Sequence, residues 1–321
     1  MVSLNRRALL GAGSGLLAVP AVAQGTWPDR PIRLVVAFPA GSVTDTLIRH
    51  LAEPLTRELG QPVIVDNRPG GNGVVGTESA ARSAPDGHTW VVLSVTNGAL
   101  NTYTVRRLSY DPIKDFAPIG FIAETAYLLV VPASSPARDL RGFIEHAKAS
   151  RTPLTFSHGN SSALIASMTL ARLAGVEMTG VPYRGGPEAL TDVIAGRIDS
   201  TFTDFAAGMP QVREGKVRAI AVTSPQPFAL APEIPTVKSV LPGFDFDVWF
   251  GMAVPAGTPA PIVTRANAAM NKVLEGSELK ERLARLGYTP RGSRPAEFQD
   301  FLRNQIAVLS ERAREAGLEQ Q

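Results

Sequence analysis

The chain has 321 residues, 44% hydrophobic and 19% charged, which is a soluble globular composition long enough for two domains. Lys and Arg number 32 against 29 Asp and Glu, a net charge of +3, and the absence of any basic run with only 7% aromatic residues argues against a nucleic-acid groove. There is no Cys, which excludes disulfides, zinc–thiolate sites, iron–sulfur clusters and Cys nucleophiles, while 29 Gly and 26 Pro imply many tight loops.

Residues 1–23 read as an address. Arg6 and Arg7 precede an apolar run, 8–23, too short to span a bilayer comfortably. Ala21-Val22-Ala23 is an A-x-A cleavage signal, and the paired arginines point to twin-arginine export. This reading is preferred to an uncleaved anchor. The mature chain then starts near Gln24, and with Arg6 and Arg7 removed 30 basic side chains face 29 acidic ones. No later apolar run is long enough to cross a membrane, so a soluble periplasmic protein is expected. In that compartment there is no ATP pool and little nicotinamide cofactor.

After this, short apolar runs alternate with helical patterns. Residues 32–37 (IRLVVA) form a strand buried on both faces. A loop, 38–42, leads to a helix whose stripe is Leu47, Ile48, Leu51, Leu55 and Leu59, stopped by Gly60. Strand 63–65, loop 67–73, a helix to about Ala84, the turn Pro85-Asp86-Gly87 and strand 90–93 follow. The rhythm resumes after residue 125. Strands are expected at 127–131, 154–156, 178–182, 200–203 and 217–222, with helices at 140–149, 162–174, 187–195 and near 206–214. From Pro259 the tail is mostly helical, with stripes at Val263, Ala266, Met270 and Val273 and at Phe298, Phe301, Leu302, Ile306 and Leu309. The alternation predicts α/β layers of parallel strands. The simplest arrangement is a two-lobed, Venus-flytrap fold. Residues 24–122 with 224–321 form one lobe and 123–223 the other, with two chain crossings between them acting as a hinge.

In open α/β sheets ligands sit beyond the carboxyl ends of strands, where helix N-termini attract anions. Three loops qualify. The first holds Phe38, Gly41, Ser42, Thr44 and Asp45. Gly41 permits close backbone approach and Ser42 and Thr44 offer hydroxyls, although either hydroxyl also suits a helix cap. The second holds Ser157, His158, Asn160, Ser161 and Ser162 and repeats this logic in the other lobe, so that two helix openings face each other. The third contains Thr96 and Asn97, for which ordinary capping is the favoured reading. Two single residues complete the set: Arg184, suited to a carboxylate or to solvent, and Asp204, suited to a ligand amine or hydroxyl or to a helix cap.

Two enzyme-like signals fail in context. Gly71-Asn72-Gly73-Val74-Val75-Gly76 matches G-x-G-x-x-G, but residues 67–70 separate it from its strand and no Asp or Glu ends the next one. A glycine-rich turn with close backbone packing explains it better. Ser157 and His158 are adjacent, so in an extended stretch they point apart and cannot act as nucleophile and base. There is also no G-x-S-x-G elbow and no His spacing for zinc.

Seven segments, in order, resemble one family. They begin with Trp27-Pro28-Asp29-Arg30-Pro31-Ile32 and the loop from Phe38 to Asp45. Gly60-Gln61-Pro62-Val63-Ile64-Val65-Asp66-Asn67-Arg68-Pro69-Gly70 and Ala84-Pro85-Asp86-Gly87-His88-Thr89 come next. Val181-Pro182-Tyr183-Arg184-Gly185, Arg218-Ala219-Ile220-Ala221-Val222-Thr223-Ser224 and Pro255-Ala256-Gly257-Thr258-Pro259 complete the set. The chain thus resembles the extracytoplasmic solute receptors of tripartite tricarboxylate transporters, often called Bug proteins. That resemblance implies two lobes closing on an organic acid, with a carboxylate held by loop hydroxyls and backbone N–H groups and delivered to membrane transporter subunits. Carried over by position, the contacts are Phe38, Gly41, Ser42, Thr44 and Asp45, then Ser157, Asn160, Ser161, Ser162 and Asp204. Three positions depart from the pattern: Ser42 stands where a second Gly is common, His158 where a small residue is usual and Leu164 where a His is frequent. The expected protein is a monomeric binding module without cofactor or metal. A periplasmic hydrolase and a sensor docking on a receptor kinase are the rival readings.

Overall fold

The computed structural model describes residues 27–318 and 320; the expected signal peptide lies outside the described residues. Two sheets organise the chain. The first holds β1 (Ile32–Val36), β2 (Val63–Asn67), β3 (Thr89–Ser94) and β4 (Phe116–Thr125), and late in the chain β10 (Val248–Pro255) and β11 (Tyr288–Pro290). The second holds β5 (Tyr127–Pro132), β6 (Leu154–His158), β7 (Met178–Pro182), β8 (Ser200–Asp204) and β9 (Val217–Val222). Strand orders are β11-β4-β10-β3-β1-β2 and β7-β6-β8-β5-β9.

Among the described residues there are eleven α-helices: α1 (Val43–Leu59), α2 (Val74–Ala81), α3 (Asn101–Thr104), α4 (Leu140–Ala149), α5 (Ser161–Ala174), α6 (Gly186–Ile194), α7 (Phe205–Arg213), α8 (Val237–Val240), α9 (Ala260–Glu275), α10 (Ser277–Arg285) and α11 (Pro295–Glu315), with a 3₁₀ turn at Gly71–Gly73 and a π-helical turn at Val95–Leu100. Local chemistry sets their ends. Ser42 caps α1, and Gly60, at φ +74°, closes it with its N–H on the Thr56 carbonyl. α5 runs likewise from Asn160 to a left-handed Gly175.

The two-lobed α/β fold is as expected, but the strands are not all parallel. β1 lies parallel to β2 and β3, and β6 to β7 and β8. β10 is antiparallel to β3 and β4, β11 to β4, and β5 to β8 and β9. The cause is the lobe crossing itself. β4 leaves the first sheet and becomes β5 of the second after one residue, Ala126, without the crossover helix that parallel strands need. Strands β4, β10 and β11 are also additional to the expected set. Pro118 and Gly120 interrupt the apolar run of β4, Gly251 interrupts β10, and the pairing of these two strands is bulged at Phe250/Gly251 and Met252/Ala253.

Side chains alternate along β5, so Leu129 and Val131 join the large core while Leu128 and Val130 face a second cluster with Leu190, Val193 and Phe205. The large core takes in residues of both lobes, and Phe244 and Phe246, from the segment between β9 and β10, join it with their rings stacked on Phe202 and Tyr127 of the second sheet. After β9 the chain stays against the second sheet, where Ala231 and Ile234 pack with Leu128 and Val130, before β10 re-enters the first. At the crossings, Tyr127 and Thr223 exchange two bonds. Tyr127 N–H donates to Thr223 Oγ1 and Thr223 N–H to the Tyr127 carbonyl, both 2.9 Å. Helices α9 and α11 pack against β4.

Candidate functional site

Three helix N-termini converge between the sheets. α1 opens after β1, α5 after β6, and α7 directly from the end of β8. Each carries a side-chain cap. Ser42 Oγ accepts from the Asp45 N–H (3.3 Å), Asn160 Oδ1 from the Ala163 N–H (2.8 Å) and Asp204 Oδ1 from the Ala207 N–H (2.9 Å). A single cap satisfies one of the free N–H groups of a first turn, so the remaining N–H groups and the positive helix ends are directed at the space between.

That space is a cavity of about 30 Å³. Ser42, Thr44 and Thr96 line it from the first lobe, and Asn160, Ser162 and Asp204 from the second. Phe38, Phe202, Val248 and Phe250 supply apolar walls. Among the described residues no Lys, Arg or His lines it. The lobes touch directly around it. Thr96 Oγ1 and Ser162 Oγ lie 2.7 Å apart, and the Ser162 N–H donates to Thr96 Oγ1 at 3.3 Å. Asn72, at φ +56°, accepts from the Ser161 N–H at 3.1 Å and donates its amide to Ser161 Oγ. A non-glycine residue in the left-handed region is thus held at a contact between lobes.

Other expected residues support the site without lining it. Gly41, at φ +77°, turns its N–H onto Asp45 Oδ2 (2.8 Å). Asp45 also receives Arg49 Nε (2.9 Å) and Asn67 Nδ2 (2.9 Å). Burial alone would raise its carboxyl, but these three donors hold it below the ordinary value. Asn97 is fully buried and bonds Ser94, Thr77 and the Val92 carbonyl, which is the capping role favoured from sequence. Ser157 Oγ donates to the Ala189 carbonyl (3.0 Å). His158 packs against Phe156, and burial lowers its pKa. Arg184 is exposed. Ser157 and His158 therefore do not meet at the cavity as nucleophile and base.

Several lining residues escape a sequence reading. The backbones of Gly159, Gly185 and Gly186 form part of the wall. A Cβ on Gly159 would strike Gly185, and one on Gly185 would lie 2.9 Å from Pro39 Cγ of the other lobe. The glycine pair, rather than the adjacent Arg184, reaches the cavity. Tyr127 lines it from the first residue of β5, just past the lobe crossing, 4% exposed, with its hydroxyl beside Asn160 and Ser162. Burial first, and then the Asp204 charge, push this phenol well above its usual range. Asp204 itself is raised by burial against the opposing N–H groups of its helix. The only advance signal for Tyr127 was its place at the start of an apolar strand.

The family described as "Tripartite tricarboxylate transporter family receptor" matches residues 47–317. The chain is 35% identical over 293 residues to the UPF0065 protein in the gbd 5' region of Cupriavidus necator, covering 90% of this chain and 89% of that one. It is 30% identical to protein BugT of Bordetella pertussis, covering 94% and 93%. Among solved structures it resembles R. palustris Rpa4515 with adipate, with TM-score 0.89, 30% identity and 92% and 100% of the two chains covered. It also resembles MatC from Rhodopseudomonas palustris with bound malate, with TM-score 0.83, 30% identity and 89% and 99% covered.

Proposed function

The chain belongs to the receptor family of tripartite tricarboxylate transporters, and from this premise we propose that it captures a small organic acid between its lobes in the periplasm and presents it to membrane transporter subunits. One observation carries the reading: the N-terminal turns of α1 and α5, one from each lobe, open on a single cavity, with the start of α7 beside them. Neutral hydroxyls and backbone N–H groups desolvate and hold a carboxylate there, each charge-assisted bond contributing about 1.5–3 kcal/mol. Four such bonds, less the ordering cost, correspond to roughly micromolar affinity. Relatives bound to adipate and malate support a carboxylate ligand. Phe38, Ser42, Thr44, Thr96, Asn160, Ser162 and Asp204 would touch it. Gly41, Asp45, Asn97, Ser157 and Ser161 would shape the loops around it.

The cavity admits about two waters, so the lobes must part for an acid to enter. The paired Tyr127–Thr223 crossing is the place for that hinge. Transporter subunits would then read the closed, loaded form by population shift. Among the described residues no helix is long and apolar enough to cross a membrane.

A thermal-shift screen of small carboxylates, each offered in amino, hydroxy and dicarboxylic forms, tests the reading. At least one acid is expected to raise Tm with the logarithm of its concentration. For that acid, Ser42→Ala combined with Ser162→Ala should weaken calorimetric affinity about tenfold or more, the loss of one or two charge-assisted bonds. Unchanged affinity would place the site elsewhere.

A further inference from the structure

The charges in the cleft narrow its ligand further, given the receptor reading above. Among the described residues, the wall holds one carboxyl, Asp204, one phenol, Tyr127, and no cationic side chain. Asp204 is 8% exposed, and Oδ1 receives the Ala207 N–H. The groups facing it are the first-turn N–H groups of α7, Tyr127 on β5 and Tyr288 on β11. The Tyr288 hydroxyl is already donated to the Val43 carbonyl at 2.7 Å. The nearest acid–base pair on α1, Asp45 with Arg49, closes on itself outside the wall.

Such a site has donors for one carboxylate at the openings of α1 and α5 and, opposite, a buried carboxyl that caps α7 and, among the described residues, receives no side-chain donor. A second carboxylate on the ligand would enter a desolvated space beside Asp204 with no cation to offset it, which is costly. A ligand donor in the same place would add a side-on partner to a carboxyl now held by backbone N–H groups alone.

We propose that this cleft selects a monocarboxylate whose far end carries a hydrogen-bond donor, an ammonium or hydroxyl group received by Asp204 with Tyr127 beside it, and that Asp204 rejects dicarboxylates. Tyr127 suits this role. Its backbone is clamped to Thr223 at the crossing, its ring packs 6.3 Å from Phe246, and its hydroxyl faces the cavity. Discrimination of this kind rests on a repulsive element as much as on an attractive one.

Matched probes test it by calorimetry at neutral pH. One set is γ-aminobutyrate, γ-hydroxybutyrate and succinate; another is ε-aminocaproate, ε-hydroxycaproate and adipate. The same comparison is run on the three end-group forms of whichever chain the thermal screen selects. Within a set, the ammonium or hydroxyl form should bind about tenfold tighter than the dicarboxylate, as expected for a like charge replaced by a paired one. Asp204→Asn keeps the capping oxygen. It should lose about tenfold for the ammonium form and gain about tenfold for the dicarboxylate, with Tm little changed. Tyr127→Phe should weaken the hydroxyl form and spare the dicarboxylate. A dicarboxylate that binds the unmodified protein as tightly as its partners overturns the proposal, as does an Asp204→Asn variant with the same ranking. If no carboxylate of any kind stabilises the protein, the receptor reading fails first.

Discussion

Asp45 shows how a residue serves a binding loop without touching what the loop binds. Its two oxygens collect the Gly41 N–H, Arg49 and Asn67, and Asn67 also donates to the Phe38 carbonyl at 3.1 Å. The bend that aims Ser42 and Thr44 at the cavity is thereby tied to α1 and to the end of β2. Asp45→Ala leaves buried donors without an acceptor and should cost about 1–3 kcal/mol at neutral pH. Because the folded pKa lies below the ordinary 3.8, this stabilisation is fully present above that value and is lost as pH falls through the lower, folded value. Melting curves for the parent and variant should accordingly differ at pH 7 and converge in strong acid. A gap that stays constant to low pH would mean the carboxylate charge plays no part. Residue type alone does not separate such roles. Ser42 caps α1 and Ser157 lies near the end of β6, both beside a Gly-containing loop, yet one faces the cavity and the other bonds the Ala189 carbonyl.

Among the elements, α2 depends on a contact with no side chain in it. Gly76 lies where a Cβ would sit 2.6 Å from the Arg68 carbonyl oxygen and 2.8 Å from Ala37 Cα. Its helix therefore lies directly on the backbone at the end of β1. This is the close packing expected of the Gly-rich segment, in place of a phosphate turn. Gly76→Ala must push rigid backbone aside and should destabilise by about 1–3 kcal/mol, read as a lower denaturation midpoint at unchanged slope. A neutral Gly76→Ala variant would show that α2 is free to slide. A cap and a stop were legible because they are local: Ser42 and Gly60 each act within one turn of α1, as Asp204 does at α7. β10 and β11 were not, because their partners lie far away in sequence, at β3 and β4.

Across the whole molecule, the two sheets meet at a cavity too small for an organic acid while the chain passes between them at Ala126 and again between β9 and β10. Bonds between lobes, Thr96 to Ser162 and Asn72 to Ser161, define the closed arrangement. If the lobes open to admit ligand, small-angle scattering should record a smaller radius of gyration at saturating ligand than without it. An identical radius in both states would argue against closure by a hinge.

The sequence by itself determined the α/β character, the helix openings with their capping residues, and the family, because each rests on short-range patterns or on ordered segments of the chain. Only the tertiary structure decided which of the similar Ser, Thr, Asn and Asp side chains reach one cavity. It also brought in Tyr127, set Gly185 and Gly186 in the wall, and made both sheets mixed. The reason is physical. A cap is satisfied within four residues, whereas a cleft is the sum of contacts between strands and loops a hundred or more residues apart, and their register depends on the packed lobes together.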